Sequence, residues 1–365
     1  MFTARHRALA AAGLLIAAVA CNNDNSTGPA TLSNPSGLTA SLNGVDSTFA
    51  SAQFESFLAL TGNLSVASPA APFARLRALV RGTAPRGANP SSATAYSRAL
   101  RVLPRAMAGS EAIIPDSVLG TTYVWDTLSQ QYVASDSTGA PSNGVRYLLY
   151  EVDSTGQIGS PLTQIGHVDF IDLSSGPTTS LETVIASNTF TYADYTVTGS
   201  GDSTAFTLTS AGYIQTHLHR LDFSITFSLA SGSFSIQEQF TEAADNLSLA
   251  FQFNVAATSD TSASVTGAFT FTNGSQTISM TGGGTLTSSV SDIQLTVKVD
   301  GNTFAIITAA GDSTSVTDAQ GHPLSLPDEI ALASAFDTLG HALDWLNDFV
   351  TPFIALTGIG AQLAL

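Results

Sequence analysis

Charge is what this 365-residue sequence has least of. Only 11% of its residues are Asp, Glu, Lys or Arg, against 44% hydrophobic, where an average soluble protein carries about 25% charged residues. Ser, Thr, Asn and Gly supply the polarity instead, which favours strands with hydroxyl-bearing outer faces over charged surface helices. Basic residues are scarcer still: 12 Lys and Arg stand against 28 Asp and Glu, for a net charge of -16. Phosphates are bound through Lys and Arg, so no nucleic-acid partner is expected. Cysteine occurs once, at Cys21, which rules out a disulfide within the chain. The longest apolar run near the start, residues 8–20, makes about 20 Å of helix, too short for a hydrocarbon core of about 30 Å. No G-x-S-x-G elbow and no phosphate-loop lysine occur, so neither a nucleophilic serine nor a nucleotide cofactor has a signature, and no cofactor is expected.

What is there begins with an export signal. "MFTARHR" supplies a positive start with Arg5 and Arg7, and "ALAAAGLLIAAVA" supplies the apolar stretch. Ala18-Val19-Ala20-Cys21 closes it and resembles the lipobox of bacterial lipoproteins. The resemblance covers the first 21 residues. It implies removal of residues 1–20 and lipidation of Cys21, with the membrane as partner through that residue. Each buried CH₂ contributes about 0.8 kcal/mol, so two or more acyl chains hold a protein stably where one does not. Asn22, rather than Asp, follows the cysteine; by the rule known for enteric lipoproteins this implies delivery to the outer membrane of the cell envelope.

Residues 21–43 are polar and rich in Pro, Gly and Asn, and read as a flexible tether. Residues 44–64 predict a short helix capped by Asp46 or Ser47, with Phe54, Phe57, Leu58 and Thr61 on one face. Residues 65–110 form an Arg/Pro/Ala-rich linker. Residues 56–110 hold seven arginines (Arg75, Arg77, Arg81, Arg86, Arg98, Arg101, Arg105) and no acid. Two readings stand for this arm: a disordered linker, or a contact with anionic lipid beside the anchor, where each basic residue contributes about 1 kcal/mol.

From about residue 120 the hydrophobic period changes to two. In "LDFSITFSLA", Leu221, Phe223, Ile225, Phe227 and Leu229 share one face. In "LSLAFQFNVAA", Leu247, Leu249, Phe251, Phe253 and Val255 do the same. "SVTGAFTF" and "IQLTVKVD" repeat the pattern; "TYVWD", "VRYLLYEV", "HVDFIDL", "YTVTG", "AFTLT", "FSIQEQF" and "TFAIITA" bring the expected strands to eleven. The period returns to helical at the end. Ser325 caps a helix at about 327–351, whose stripe runs Leu332, Phe336, Leu339, Leu343, Leu346, Val350 and Phe353, with Pro352 ending or kinking it.

Candidate chemistry is sparse. In "QTHLHRL", an H-x-H on a strand would point His217 and His219 to one face, the start of a metal site, with His167, Asp169 or His341 as third ligand. Two solvated histidines are the alternative. The acid pairs Asp169/Asp172 and Glu238/Glu242 lack catalytic context and read as solvated carboxylates. Gly282 to Gly284, in "TGGGTL", reads as a flexible turn or bulge.

The expected class is mainly β (α+β): a β-rich domain over 111–365, built as a large curved antiparallel sheet or half-barrel covered by the C-terminal amphipathic helix and the short N-terminal helix. The arrangement is similar to the half-barrels of bacterial lipoprotein carriers. That resemblance implies a hydrophobic or lipid ligand held between sheet and helix, with Leu221, Phe223, Ile225, Phe227, Phe251, Phe253, Phe336, Leu339, Leu343 and Leu346 as ligand-facing or core residues. A structural or partner-binding surface lipoprotein, and a metal-dependent enzyme using His217 and His219, are the two alternatives.

Overall fold

The computed structural model describes residues 32, 35–49, 51–63, 112–153, 156–201, 205–230, 232–243, 246–259, 262–274, 276–287, 291–310, 313–330, 332–333, 349–353 and 356. Cys21, the linker 65–110, His341 and the stripe residues Phe336, Leu339, Leu343 and Leu346 lie outside them.

Two helices precede the sheet, α1 (Pro35–Thr48) and α2 (Ala52–Asn63). This corrects the expectation of a single helix over 44–64, and of a tether reaching residue 43. Asp46 and Ser47 fall inside α1. Ser51 caps α2 instead, its hydroxyl accepting the amide of Phe54 at 3.2 Å, which satisfies one of the N–H groups left open at a helix start.

Fifteen strands follow. They are β1 (Thr122–Asp126), β2 (Gln131–Ser135), β3 (Gly144–Tyr150), β4 (Gln164–Asp172), β5 (Thr179–Ala186), β6 (Thr191–Gly201), β7 (Ala205–Gln215) and β8 (Arg220–Ala230). The series continues with β9 (Ser233–Glu242), β10 (Leu247–Ser259), β11 (Ser262–Asn273), β12 (Gln276–Thr287), β13 (Ser291–Val299), β14 (Asn302–Ala310) and β15 (Ser313–Thr317). All belong to one open sheet in the order β15 down to β3, then β1, then β2. The expected class, mainly β with one large antiparallel sheet, is the observed one. Neighbouring strands run antiparallel in the registered pairs except β1 and β3, which pair in parallel through Thr122–Arg146 and Tyr123–Tyr147. Four strands exceed the eleven expected: β2, β5, β12 and β15. Their sequences are short, serine- and threonine-rich or glycine-interrupted, so local alternation alone does not mark them.

By compactness the chain divides in two. One unit comprises residues 46–71, 101–229 and 344–365; the other comprises 1–45, 72–100 and 230–343. In the first, α2 lies on β3, β4 and β5. Phe54, Phe57 and Leu60 face inward, the spacing expected of one helix face. Gln53 donates to the carbonyl of Ile165, and the Ser56 hydroxyl accepts the amide of Tyr150. Phe349, in a helical stretch at 349–353, stacks on Phe223 with ring centroids 4.3 Å apart and meets Tyr195 edge-on at 5.0 Å. Pro352 lies within that stretch rather than ending it. Leu221, Phe223, Ile225, Phe227 and Leu229 of β8 are buried, as their alternation requires.

In the second unit, α1 is tied to the sheet by the Asn273 amide, which donates to the Ser41 hydroxyl at 2.7 Å. Helical residues 326–330 open with Ser325, whose hydroxyl donates to Asp328 at 2.6 Å and whose carbonyl accepts the amide of Glu329. A helical segment therefore begins next to the residue expected to open it, with the Ser325 hydroxyl bonded to Asp328 rather than to a helix amide. The described stripe residues Leu332, Val350 and Phe353 are buried.

Candidate functional site

β9 to β14 build the most distinctive surface. On β9 the residues at even spacing are Phe234, Ile236, Glu238, Phe240 and Glu242, and all five are buried. Register carries the same face across the sheet. Glu238 pairs with Phe251, Phe251 with Phe269, Phe269 with Met280, Met280 with Val297 and Val297 with Ala305. The adjacent row runs Ile236, Phe253, Gly267, Gly282, Leu295 and Ile307. The next runs Phe234, Val255, Val265, Gly284, Ile293 and Ala309. Apolar walls thus flank a strip whose floor is glycine: Gly267, Gly282 and Gly284.

The glycines belong there for a steric reason. A Cβ on Gly282 would run into the carbonyl of Gln294, and one on Gly284 into that of Asp292, both on β13. The strand can pass β13 this closely only without side chains. This corrects the reading of "TGGGTL" as a turn or bulge: all three glycines are paired in the middle of β12. Met280, Ile293 and Leu295 beside the strip are only half-buried.

Glu238 is the anomaly of this face. It is 2% exposed, and among the described residues neither carboxyl oxygen has a hydrogen-bond partner. Burial alone pushes its pKa from the ordinary 4.5 up to about 8, because removal from water penalises the charged form. The group is therefore mainly a neutral carboxylic acid at pH 7, with one O–H donor and free acceptor capacity unspent. Glu242, also 2% exposed, occupies the same face. The expectation that these two acids are solvated is overturned. The signal was present: both acids share the parity of Phe234, Ile236 and Phe240 in "FSIQEQFTE", and a strand whose apolar residues face inward takes its in-phase acids with them.

The other sequence candidates lie elsewhere. His217 and His219 sit in the turn between β7 and β8, not on a strand, so the shared-face argument for a metal pair does not apply. The Thr216 hydroxyl accepts the amides of Leu218 and His219, shaping the turn. The His217 ring packs on Phe190 at 4.2 Å, and Leu218 between the histidines is 82% exposed. Among the described residues no three His, Cys, Asp or Glu side chains gather as a metal site.

Asp169, expected to be solvated, is buried in a paired setting on β4. Arg146 of β3 grips it through Nε and a terminal nitrogen, each 2.7 Å from one carboxylate oxygen. His167 approaches the same carboxylate at 4.0 Å. Its pKa is lowered, first by burial and then by the Arg146 charge, with Asp169 opposing. Asp172 is half-buried and accepts the amides of Ile114 and Ser174, which lowers its pKa against the effect of burial. These acids bind the chain to itself; their ligands are its own arginine and amides. Leu221, Phe223, Ile225 and Phe227 are core of the first unit, while Phe251 and Phe253 line the face that carries Glu238.

No family model, no curated protein and no solved structure matches this chain.

Proposed function

We propose that this protein is an exported lipoprotein of the cell envelope, anchored through lipidated Cys21, that holds a hydrophobic ligand on the apolar face of β9 to β14. One observation carries the ligand reading: the glycine-floored strip of Gly267, Gly282 and Gly284, bordered by the half-buried Met280, Ile293 and Leu295. Side chains normally fill a sheet face to crystal-like density. At Gly267, Gly282 and Gly284 this face carries no side chain, so an apolar chain laid across it would meet the flanking apolar residues. The export signal and Ala18-Val19-Ala20-Cys21 support the anchor, and the arginines of residues 56–110 would rest on anionic head groups beside it.

Two measurements test the reading. Metabolic labelling with a fatty-acid analogue should mark the wild-type chain and not Cys21→Ser, which should leave the membrane fraction. Mass spectrometry of organic extracts of the purified full chain should find one class of hydrophobic molecule near equimolar amount. Extracts holding only a trace of the host's average membrane lipid would refute ligand carriage.

The open edges favour a second reading, in which the protein docks a partner by strand addition. Among the described residues β2 and β15 each have a single hydrogen-bonded neighbour, and Val133 and Val316 on them are exposed. An edge proline, Val133→Pro or Val316→Pro, would abolish such docking without changing the lipid extract.

A further inference from the structure

We propose that Glu238 is the polar anchor for the ligand on this face, and that the ligand is a lipophilic amine with a chain of roughly ten carbons. The inference rests on the ligand reading above and gives it a chemical class.

Three observations point the same way. First, natural proteins rarely leave a buried polar side chain unpartnered, and each exception asks for an explanation. Here both oxygens of a fully buried carboxyl lack a partner among the described residues, on the face that holds the glycine strip. Second, the described residues of this unit offer it no cation. Residues 230–343 contain eleven Asp and Glu, and their described part holds a single Lys or Arg, Lys298. Lys298 is exposed and, next in sequence to the inward Val297, falls on the opposite face of β13. Third, the distance suits an alkyl chain. Glu238 on β9 and Gly282 on β12 are three strand spacings apart, about 14 Å at ~4.8 Å per spacing, the length of roughly ten methylenes.

The head group follows from the charge. A carboxylate head would meet an acid-rich segment and an acid with no counter-charge. An alcohol would make a single neutral hydrogen bond. An amine, protonated in water like a lysine side chain, makes a charge-assisted pair with a carboxylate, about twice as strong as a neutral bond. Binding is then balanced by one proton. The neutral carboxyl gives up its hydrogen to solvent, the alkylammonium keeps its own three, and an ammonium–carboxylate pair remains in the apolar wall.

Isothermal titration of the full chain, stripped of co-purified lipid, tests this with decylamine, decanol and decanoate at pH 6.5 in two buffers of different ionisation enthalpy. Decylamine should bind at least tenfold tighter than decanol and release close to one proton per molecule. Glu238→Gln should lose both the preference for amine and the proton release. If that variant does not fold, as judged by circular dichroism, the proton count of the wild-type chain decides. Equal affinity for amine and alcohol, tighter binding of decanoate, or amine binding without proton release overturns the amine anchor and leaves the hydrophobic-ligand reading standing. If none of the three probes binds, the ligand reading fails and this inference with it.

Discussion

Glu238→Gln should change how stability depends on pH, by an amount the structure sets. The carboxyl has its ordinary pKa of 4.5 in the unfolded chain and one of about 8 in the folded chain. A folded-state pKa raised above the unfolded one gives full stability below pH 4.5 and loses it as pH climbs toward 8. In that window the unfolded chain ionises Glu238 while the folded chain must keep the proton. At 1.36 kcal/mol for each tenfold change in proton affinity, the full loss is about 5 kcal/mol. From pH 5.5 to 7.5 it is about 2.5 kcal/mol, a large part of the 5–15 kcal/mol that holds a domain together. Glutamine keeps the shape and cannot ionise, so the variant's stability should fall less steeply with pH by that amount. All other titrating groups contribute equally to both proteins, and the difference isolates Glu238. Residues facing it across β10 are Leu249, Phe251 and Phe253, none of which titrates; Glu242 is the nearby acid on its own strand. Trp125 belongs to the other compact unit, so its fluorescence is the wrong probe. Amide hydrogen exchange of peptides from β9 and β10, in the regime where it reports opening free energy, is the right one. Parallel stability curves for the two proteins between pH 5 and 8 would refute the reasoning, since they would mean that water or a counter-charge already reaches Glu238.

Gly282→Ala should lower the stability of the same unit by more than about 2 kcal/mol, since its Cβ meets β13 backbone that cannot rotate away; urea unfolding followed by circular dichroism checks it. Asp169→Asn should cost about 2 kcal/mol by leaving Arg146 without its two charge-assisted bonds, and should lower the His167 pKa further by removing the one neighbour that raises it. Arg146→Gln should raise it. Proton NMR titration of His167 reads both, and unchanged values would mean the triad does not hold in solution. Ser51→Ala should cost about 1 kcal/mol through loss of the α2 cap, measurable in thermal unfolding.

Much of this protein is written in its sequence at short range. Alternation with period two fixes which side of β8, β10 and β11 is buried, because successive side chains of a strand must point to opposite faces. The Ser325 cap and the stripe through Leu332, Val350 and Phe353 announce a helix by the same local geometry. The anchor reading depends on 21 contiguous residues and no folding at all. The candidate site was half legible. Glu238 lay in phase with Phe234, Ile236 and Phe240, yet a buried acid was not expected because acids are almost never fully buried unless paired. The glycines of β12 misled for the complementary reason: three in a row read as a turn unless β11 and β13 are known to pass close on either side. Likewise the histidines of the β7–β8 turn cannot be placed until the strand ends are known.

The sequence by itself determined which faces of β8, β10 and β11 are buried, a property set by neighbours within a few residues. Only the tertiary structure decided that β2, β5, β12 and β15 are strands, that Glu238 has no hydrogen-bond partner among the described residues, and that Gly267, Gly282 and Gly284 share one strip. Each of these is a relation between residues far apart in the chain, created when strand register aligns them, and no local pattern encodes register.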